Sequence, residues 1–279
     1  MTPDNPLRKH FRQPAIYISL PSSGKWYEAN SLIMPQNREL PVLPMTAIDE
    51  ITSRTPDALF NGSAMVSIIH SCVPSIKNAW SVPNCDINTI LIGIRIASYG
   101  HLMAIGTRCP KCNHEAEYNL DLRNLSDSIG KPDYDKKLEI GDLVFNFKPL
   151  TYKQINDNNV LQYEDQKLMQ IMNQTDINDQ KKMELIGDSF RKITQLTMKA
   201  VAQCIATITT ADGVVHDQNH IAEYLVNCEK EIFNQIRDHI GNLKSATDFR
   251  PLDITCENCS NQYQQEFSLD ITNFFATNS

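Results

Sequence analysis

Cys109-Pro110-Lys111-Cys112 and Cys256-Glu257-Asn258-Cys259 are the two stretches on which the reading of this chain turns. Leu102-Met103-Ala104-Ile105-Gly106-Thr107 leads into the first pair and Pro251-Leu252-Asp253-Ile254-Thr255 into the second, both with strand-like composition. Each pair is then followed by a returning strand and the pattern Leu-Asp-apolar-x-Asn-apolar, at Leu120-Asp121-Leu122-Arg123-Asn124-Leu125 and at Leu269-Asp270-Ile271-Thr272-Asn273-Phe274. The distance from the last cysteine to that Leu is 120 − 112 = 8 residues in one copy and 269 − 259 = 10 in the other. Strand, knuckle, strand and closing pattern therefore occur twice, as the two halves of a ribbon would.

A zinc ion takes four ligands in a tetrahedron, and two thiolates on a tight knuckle supply half of them. Cys109, Cys112, Cys256 and Cys259 together make a complete set, so zinc is the expected cofactor. With no coordination position left open, its role is structural. The halves are separated by 256 − 112 − 1 = 143 residues, so a second hairpin and a helical region must be inserted between them. Closing so long a loop costs only a few kcal/mol of entropy, against about 10–16 kcal/mol for binding a structural zinc. Two other readings of the cysteines stay open: a redox pair, which needs a helix after the Cys-x-x-Cys, and two degenerate ribbons without metal. His114 follows the first knuckle, but its counterpart is Asn261, so it reads as a surface residue.

The remaining four cysteines, Cys72, Cys85, Cys204 and Cys228, are unpaired in the sequence and read as small buried hydrophobes. Met1-Thr2-Pro3-Asp4-Asn5-Pro6 has no apolar h-region, so no secretory signal and no disulfide framework are expected. No apolar run approaches the roughly 18 residues of a membrane-spanning helix. The net charge of −7 argues against a general nucleic-acid binder. Near the knuckles, Arg108 and Lys111 are balanced by Glu115, Glu117 and Glu257. His216 and His220 have the i, i+4 spacing of a zinc peptidase, but Asp217 stands where its Glu belongs and reads as an N-cap. With no Walker loop, no G-x-S-x-G and no dinucleotide fingerprint, neither an enzyme nor a small-molecule substrate is expected.

The expected fold is α+β: split zinc-ribbon-like β-hairpins, a mainly helical insertion and an extended N-terminal arm. The arm covers residues 1–45, where Ile16-Tyr17-Ile18-Ser19-Leu20 alternates as a strand and prolines keep the rest extended. Its five Lys/Arg against three Asp/Glu suit a tether on a neighbouring subunit, with Arg8, Lys9, Phe11, Arg12, Trp26 and Tyr27 as candidate contacts. Residues 46–100 form a small helical region. Thr46 and Asp49 open its first helix, Pro56 a second through Phe60, Asn61 or Ser63 a third, and Asp86 a buried one closed by Gly100.

The ribbon occupies 101–125 and 249–279, and the insertion 126–248. The insertion starts with a hairpin in which Ile140 faces Leu143 and Leu138 faces Phe145 across Gly141-Asp142. From about 151 to 246 helices are expected. The longest has Met183, Ile186, Phe190, Ile193, Thr197, Ala200, Val201, Cys204 and Ile208 on a core-facing stripe that Asp212-Gly213 breaks. Asp217 caps the next helix, and Gly241 ends a last one carrying Ile232, Phe233, Ile236 and Ile240. A final strand is expected over Phe267-Ser268-Leu269-Asp270-Ile271.

Leu40-Pro41-Val42-Leu43-Pro44-Met45-Thr46-Ala47-Ile48-Asp49-Glu50-Ile51 resembles the baseplate hub proteins of T-even-like contractile-tailed bacteriophages (myophages), as do Thr55–Gly62 and the Cys109–Cys112 knuckle. The similarity runs from about Ile16 through the second knuckle, is specific over the first 125 residues and loose in the helical insertion. The resemblance implies a non-enzymatic component of the virion tail baseplate whose partners are other baseplate and tail proteins. It also implies assembly in the host bacterial cytoplasm, where thiols stay reduced and free to bind zinc. An assembly chaperone absent from the mature virion and a zinc-ribbon nucleic-acid-binding regulator are the alternatives.

Overall fold

The computed structural model describes residues 5–55, 62–174, 179–267, 269, 274 and 275, with the backbone alone over 164–174 and 179–182. The chain divides into two compact units, the first made of residues 1–79, 86–130 and 248–279, the second of 80–85 and 131–247. Both mix helices with small antiparallel sheets.

The first unit begins with a 3-10 turn over Pro6–His10 and a hairpin of β1 (Ile16–Ser19) and β2 (Glu39–Val42). Ile18 lies opposite Leu40 and Ile16 opposite Val42. Ile18, Leu20, Leu40 and Val42 are all buried. Within the stretch expected as an extended arm over 1–45, these four residues belong to the core, because alternation places every second residue on the face that packs inward, while Tyr17 and Ile33 stay exposed. The packing partner is helix α3 (Asn84–Tyr99), approached so closely that a Cβ on Gly93 would lie 2.8 Å from Ile18 Cγ2.

Helix α1 (Ala47–Ser53) starts with the expected capping box, Asp49 N–H donating to Thr46 Oγ1 and Thr46 N–H to Asp49 Oδ2. Arg12 joins this cap from far away in sequence. Its guanidinium donates to Pro44 O, Asp49 Oδ2, Ser71 O and Ser71 Oγ. The helix expected at Pro56–Phe60 lies outside the described residues. Helix α2 (Ser63–Cys72) is capped by Gly62 in a left-handed conformation, in place of Asn61 or Ser63. Helix α3 starts two residues before Asp86, so Asp86 is no cap. Its carboxylate is buried and accepts from Ser22 N–H, Ser22 Oγ–H and Tyr27 O–H. Gly100, with φ +86°, closes the helix as its sequence position implies.

Two knuckle-bearing hairpins complete the unit: β3 (Leu102–Arg108) with β4 (Glu115–Asp121), and β9 (Leu252–Thr255) with β10 (Gln262–Gln265). A short helix α4 (Leu122–Ser128) follows β4, with Asp121 as its N-cap. The returning strand of the second hairpin is β10. Phe267 and Leu269 are not in a strand, and Ser268, Asp270 and Ile271 lie outside the described residues. Arg95, buried on α3, donates to Phe274 O and stacks its guanidinium 5.4 Å from the Phe274 ring.

The second unit is built on a four-stranded antiparallel sheet in the order β5 (Leu138–Ile140), β6 (Leu143–Phe147), β7 (Ile205–Thr210), β8 (Gly213–Val215). The first hairpin has the expected register, Ile140 opposite Leu143 and Leu138 opposite Phe145. Its helices are α5 (Tyr152–Gln174), α6 (Asp179–Cys204), α7 (Gln218–Asn227) and α8 (Lys230–Ser245). Three expectations are corrected here. The helix carrying the long apolar stripe ends at Cys204, and Ile208 belongs to β7. Ala211-Asp212 turns β7 into β8, which Gly213 opens. Helix α8 runs past Gly241 to Ser245. Asp217 caps α7 as read, accepting from Asn219 and His220 N–H, and His216 and His220 are exposed. Among the described residues no helix is long and apolar enough to cross a membrane.

Candidate metal centre

The two knuckles are built alike. In the first, Cys109 N–H donates to His114 O and Asn113 N–H to Cys109 O, both at 2.9 Å. In the second, Cys256 N–H donates to Asn261 O and Ser260 N–H to Cys256 O, again both at 2.9 Å. The residue after the second cysteine of each pair is left-handed, Asn113 at φ +57° and Ser260 at φ +55°. Asn tolerates that region better than Ser. The repeat seen in the sequence is thus a repeat of backbone hydrogen bonds, and its outcome is a pair of cysteine side chains on one side of each turn.

The hairpins bring the four sulfurs together. Cys109 Sγ is 3.7 Å from Cys259 Sγ, Cys112 Sγ is 3.6 Å from Cys256 Sγ, and all four lie within 4.8 Å of one another. A disulfide needs about 2.05 Å, so these are free thiols. A tetrahedron with metal–sulfur bonds of about 2.3 Å has edges of about 3.8 Å. The two close contacts match that edge, and each joins one sulfur from each hairpin. A cation held here would tie β3–β4 to β9–β10. The donor set is all sulfur, which suits zinc or iron–sulfur chemistry and disfavours hard cations.

Cys109 and Cys256 are buried, Cys112 and Cys259 half-buried. Asn258 Nδ2 donates to Cys112 Sγ at 3.7 Å and Asn261 Nδ2 to Cys109 Sγ at 4.0 Å, each across to the opposite knuckle. In the sequence Asn261 stands only as the counterpart of His114. The signal that could have found this pair is that a side-chain donor near one knuckle must point at the other's thiolates.

Titration of the cluster is coupled. The backbone N–H of His114 is the main cause lowering the Cys112 thiol to about 6. Cys259 receives the Asn261 amide, yet desolvation and the sulfurs of Cys112, Cys109 and Cys256 push it up to about 12. Four thiolates in so small a volume repel one another, so the last proton is held until a cation takes its place. Neither pair opens a helix: β4 and β10 follow, and the helix dipole that activates redox thiols is missing.

The candidate contact residues near the N-terminus separate into two groups. Arg8 and Lys9 are exposed on the 3-10 turn and Phe11 is 55% exposed beside them. Arg12 and Tyr27 are half-buried and hydrogen-bond within the unit to Asp49, Ser71 and Asp86. Trp26 sits in a turn at φ +65°, half-buried, with the Lys25 ammonium 5.8 Å from its ring.

No curated protein and no solved structure shows significant similarity to the chain. The family model described as "T4 bacteriophage base plate protein" matches residues 16–276, from the first residue of β1 through both knuckles. Arg8, Lys9, Phe11 and Arg12 precede the match. The chain belongs to the T4 bacteriophage base plate protein family.

Proposed function

We propose that this baseplate component acts in the hub region of a contractile tail, as a non-enzymatic structural protein stabilised by zinc on Cys109, Cys112, Cys256 and Cys259. Membership of the family supports the baseplate assignment. The observation that carries the metal reading is the sulfur geometry, two inter-hairpin edges of 3.6 and 3.7 Å in a group spanning 4.8 Å. When bound, zinc would contribute four metal–thiolate bonds and no open site for substrate. The split zinc ribbon is then the device that fixes one hairpin against the other, making a firm platform for neighbouring baseplate and tail proteins.

Arg8, Lys9, Phe11, Arg12, Trp26 and Tyr27 are the proposed contact residues, outside the cysteine cluster. The protein assembles in the reducing host cytoplasm and resides in the virion tail. Mass spectrometry of purified particles distinguishes this from an assembly chaperone, which leaves no peptides in the mature tail.

The metal assignment is tested by elemental analysis of protein purified without added metal. One zinc per chain is expected, and Cys109→Ser should reduce both the zinc content and the thermal stability. Far less than one zinc together with an unaffected Cys109→Ser variant overturns it. Binding to DNA or RNA at low salt that weakens steeply as salt rises would favour the nucleic-acid alternative.

A further inference from the structure

Helix α6 carries an apolar seam that stays largely exposed from Met183 to Thr197. Met183, Ile186, Phe190, Ile193, Thr197 and Ala200 recur at alternating steps of three and four, the 3.5-residue period of a coiled-coil seam. Met183 is 77% exposed, Phe190 64% and Ile193 42%. The helix meets its own unit through a different flank, where Ser189 is buried and Leu185 and Leu196 are half-buried. Ile186 and Ala200 are half-buried, and full burial begins at the C-terminal end, with Val201, Ala202 and Cys204.

We propose that this seam is a self-association surface, on which α6 of a second copy packs antiparallel about a two-fold axis level with Asp188. The seam is self-complementary about that point. Met183 and Ile193 are each five residues from Asp188, and Ile186 and Phe190 each two. Antiparallel pairing therefore stacks Met183 on Ile193 of the second copy and Ile186 on Phe190 of the second copy, each layer occurring twice, as an isologous contact requires.

Charge supports the same register. Glu184 and Arg191 are seven residues apart and share the outer flank of the seam. Antiparallel pairing brings Glu184 within one residue of the level of Arg191 in the second copy, twice over. A parallel pair would leave them two turns apart. Gly187 lies between them on that flank, and a Cβ there would meet nothing within 4 Å. The missing side chain leaves room for the two long ones to reach across. Arg191 also bonds Asp188 of its own helix at an exposed site, and its five donors can serve both carboxylates.

The proposal is independent of the metal site and of the baseplate reading. Sedimentation equilibrium of the full zinc-loaded chain should show a dimer at about 100 μM, a concentration that saturates any micromolar contact. Phe190→Asp should raise the dimer Kd at least about 30-fold, the minimum for a hot-spot residue, with an unchanged circular dichroism spectrum. Glu184→Arg should raise it about fivefold through like charge, and Glu184→Arg combined with Arg191→Glu should restore it. A chain that stays monomeric at that concentration overturns the proposal and gives the seam to another protein's helix. A dimer indifferent to Phe190→Asp overturns it by placing the contact elsewhere, and one that the double charge swap fails to restore rejects the antiparallel register.

Discussion

Asp49 shows what one carboxylate can hold together. Its Oδ2 accepts from Thr46 N–H, Thr46 Oγ–H and Ser71 Oγ–H within 2.9 Å, and from the Arg12 guanidinium at 3.3 Å. Half of this network was legible, because Thr46 and Asp49 are three residues apart and a capping box is a local pattern. Arg12 and Ser71 are 37 and 22 residues away from Asp49, and no local rule pairs them. Asp86 was misread for the same reason. An acid near a helix start resembles a cap, and only the fold brings Ser22 and Tyr27 to it. Replacing Asp49 by Ala removes the carboxylate half of the capping box, takes one of its acceptors from Arg12 and leaves the Ser71 hydroxyl without Asp49 Oδ2. A loss of about 2–3 kcal/mol is expected in urea unfolding. Ser71→Ala should cost about 1 kcal/mol. Equal costs for the two would show that Arg12 contributes nothing through Asp49.

Elements were legible where one period held and failed where two overlapped. Cys204 and Ile208 are four apart, which fits a continuing helix, yet Ile205, Thr207, Ile208 and Thr209 are β-branched and pair with β6. The stripe on α6 was found, but its direction was not. A period gives the apolar face of a helix without saying whether a neighbour covers it.

Helix α2 offers a test at this scale. His70, in its last turn, accepts Ala79 N–H on Nε2 at 2.9 Å and ties the helix end to the segment after it. Partial burial lowers its pKa below 6.5. The unfolded state therefore takes up the proton first. The contribution to stability is complete above about pH 6.5, decreases as pH falls through that value, and levels off below the lower folded pKa. His70→Gln keeps an acceptor that does not titrate. Denaturation midpoints measured at about pH 7.5 and 5.5 should therefore lie closer together in this variant than in the native chain. An equal separation would show that His70 contributes nothing to the pH dependence of stability. His239, whose pKa burial also lowers, keeps a remaining pH dependence in both proteins.

At the scale of the molecule, all four cysteines of the site belong to one unit, and nearly all of the second unit's residues lie in the sequence between the two pairs. That loop runs from Cys112 to Cys256 and carries a closure entropy of about 4 kcal/mol beyond the constant part. The hydrogen bonds between the two hairpins at the site are the weak ones of their sulfurs and amides. The second unit has its own sheet and core, with Phe145, Phe147, Ile205, Ile221 and Ile236 buried. Stripping zinc with a chelator should therefore act unevenly. Hydrogen exchange should accelerate over β3–β4 and β9–β10, while β6 and β7 keep their protection. The Cys256→Ser variant should reproduce that pattern without chelator, because three thiolates hold the ion less tightly. A uniform rise in exchange over both units would mean that the metal stabilises the chain as one cooperative body. No change at either hairpin would mean that the sulfurs meet without a structural ion, and that backbone hydrogen bonds alone hold the knuckles in shape.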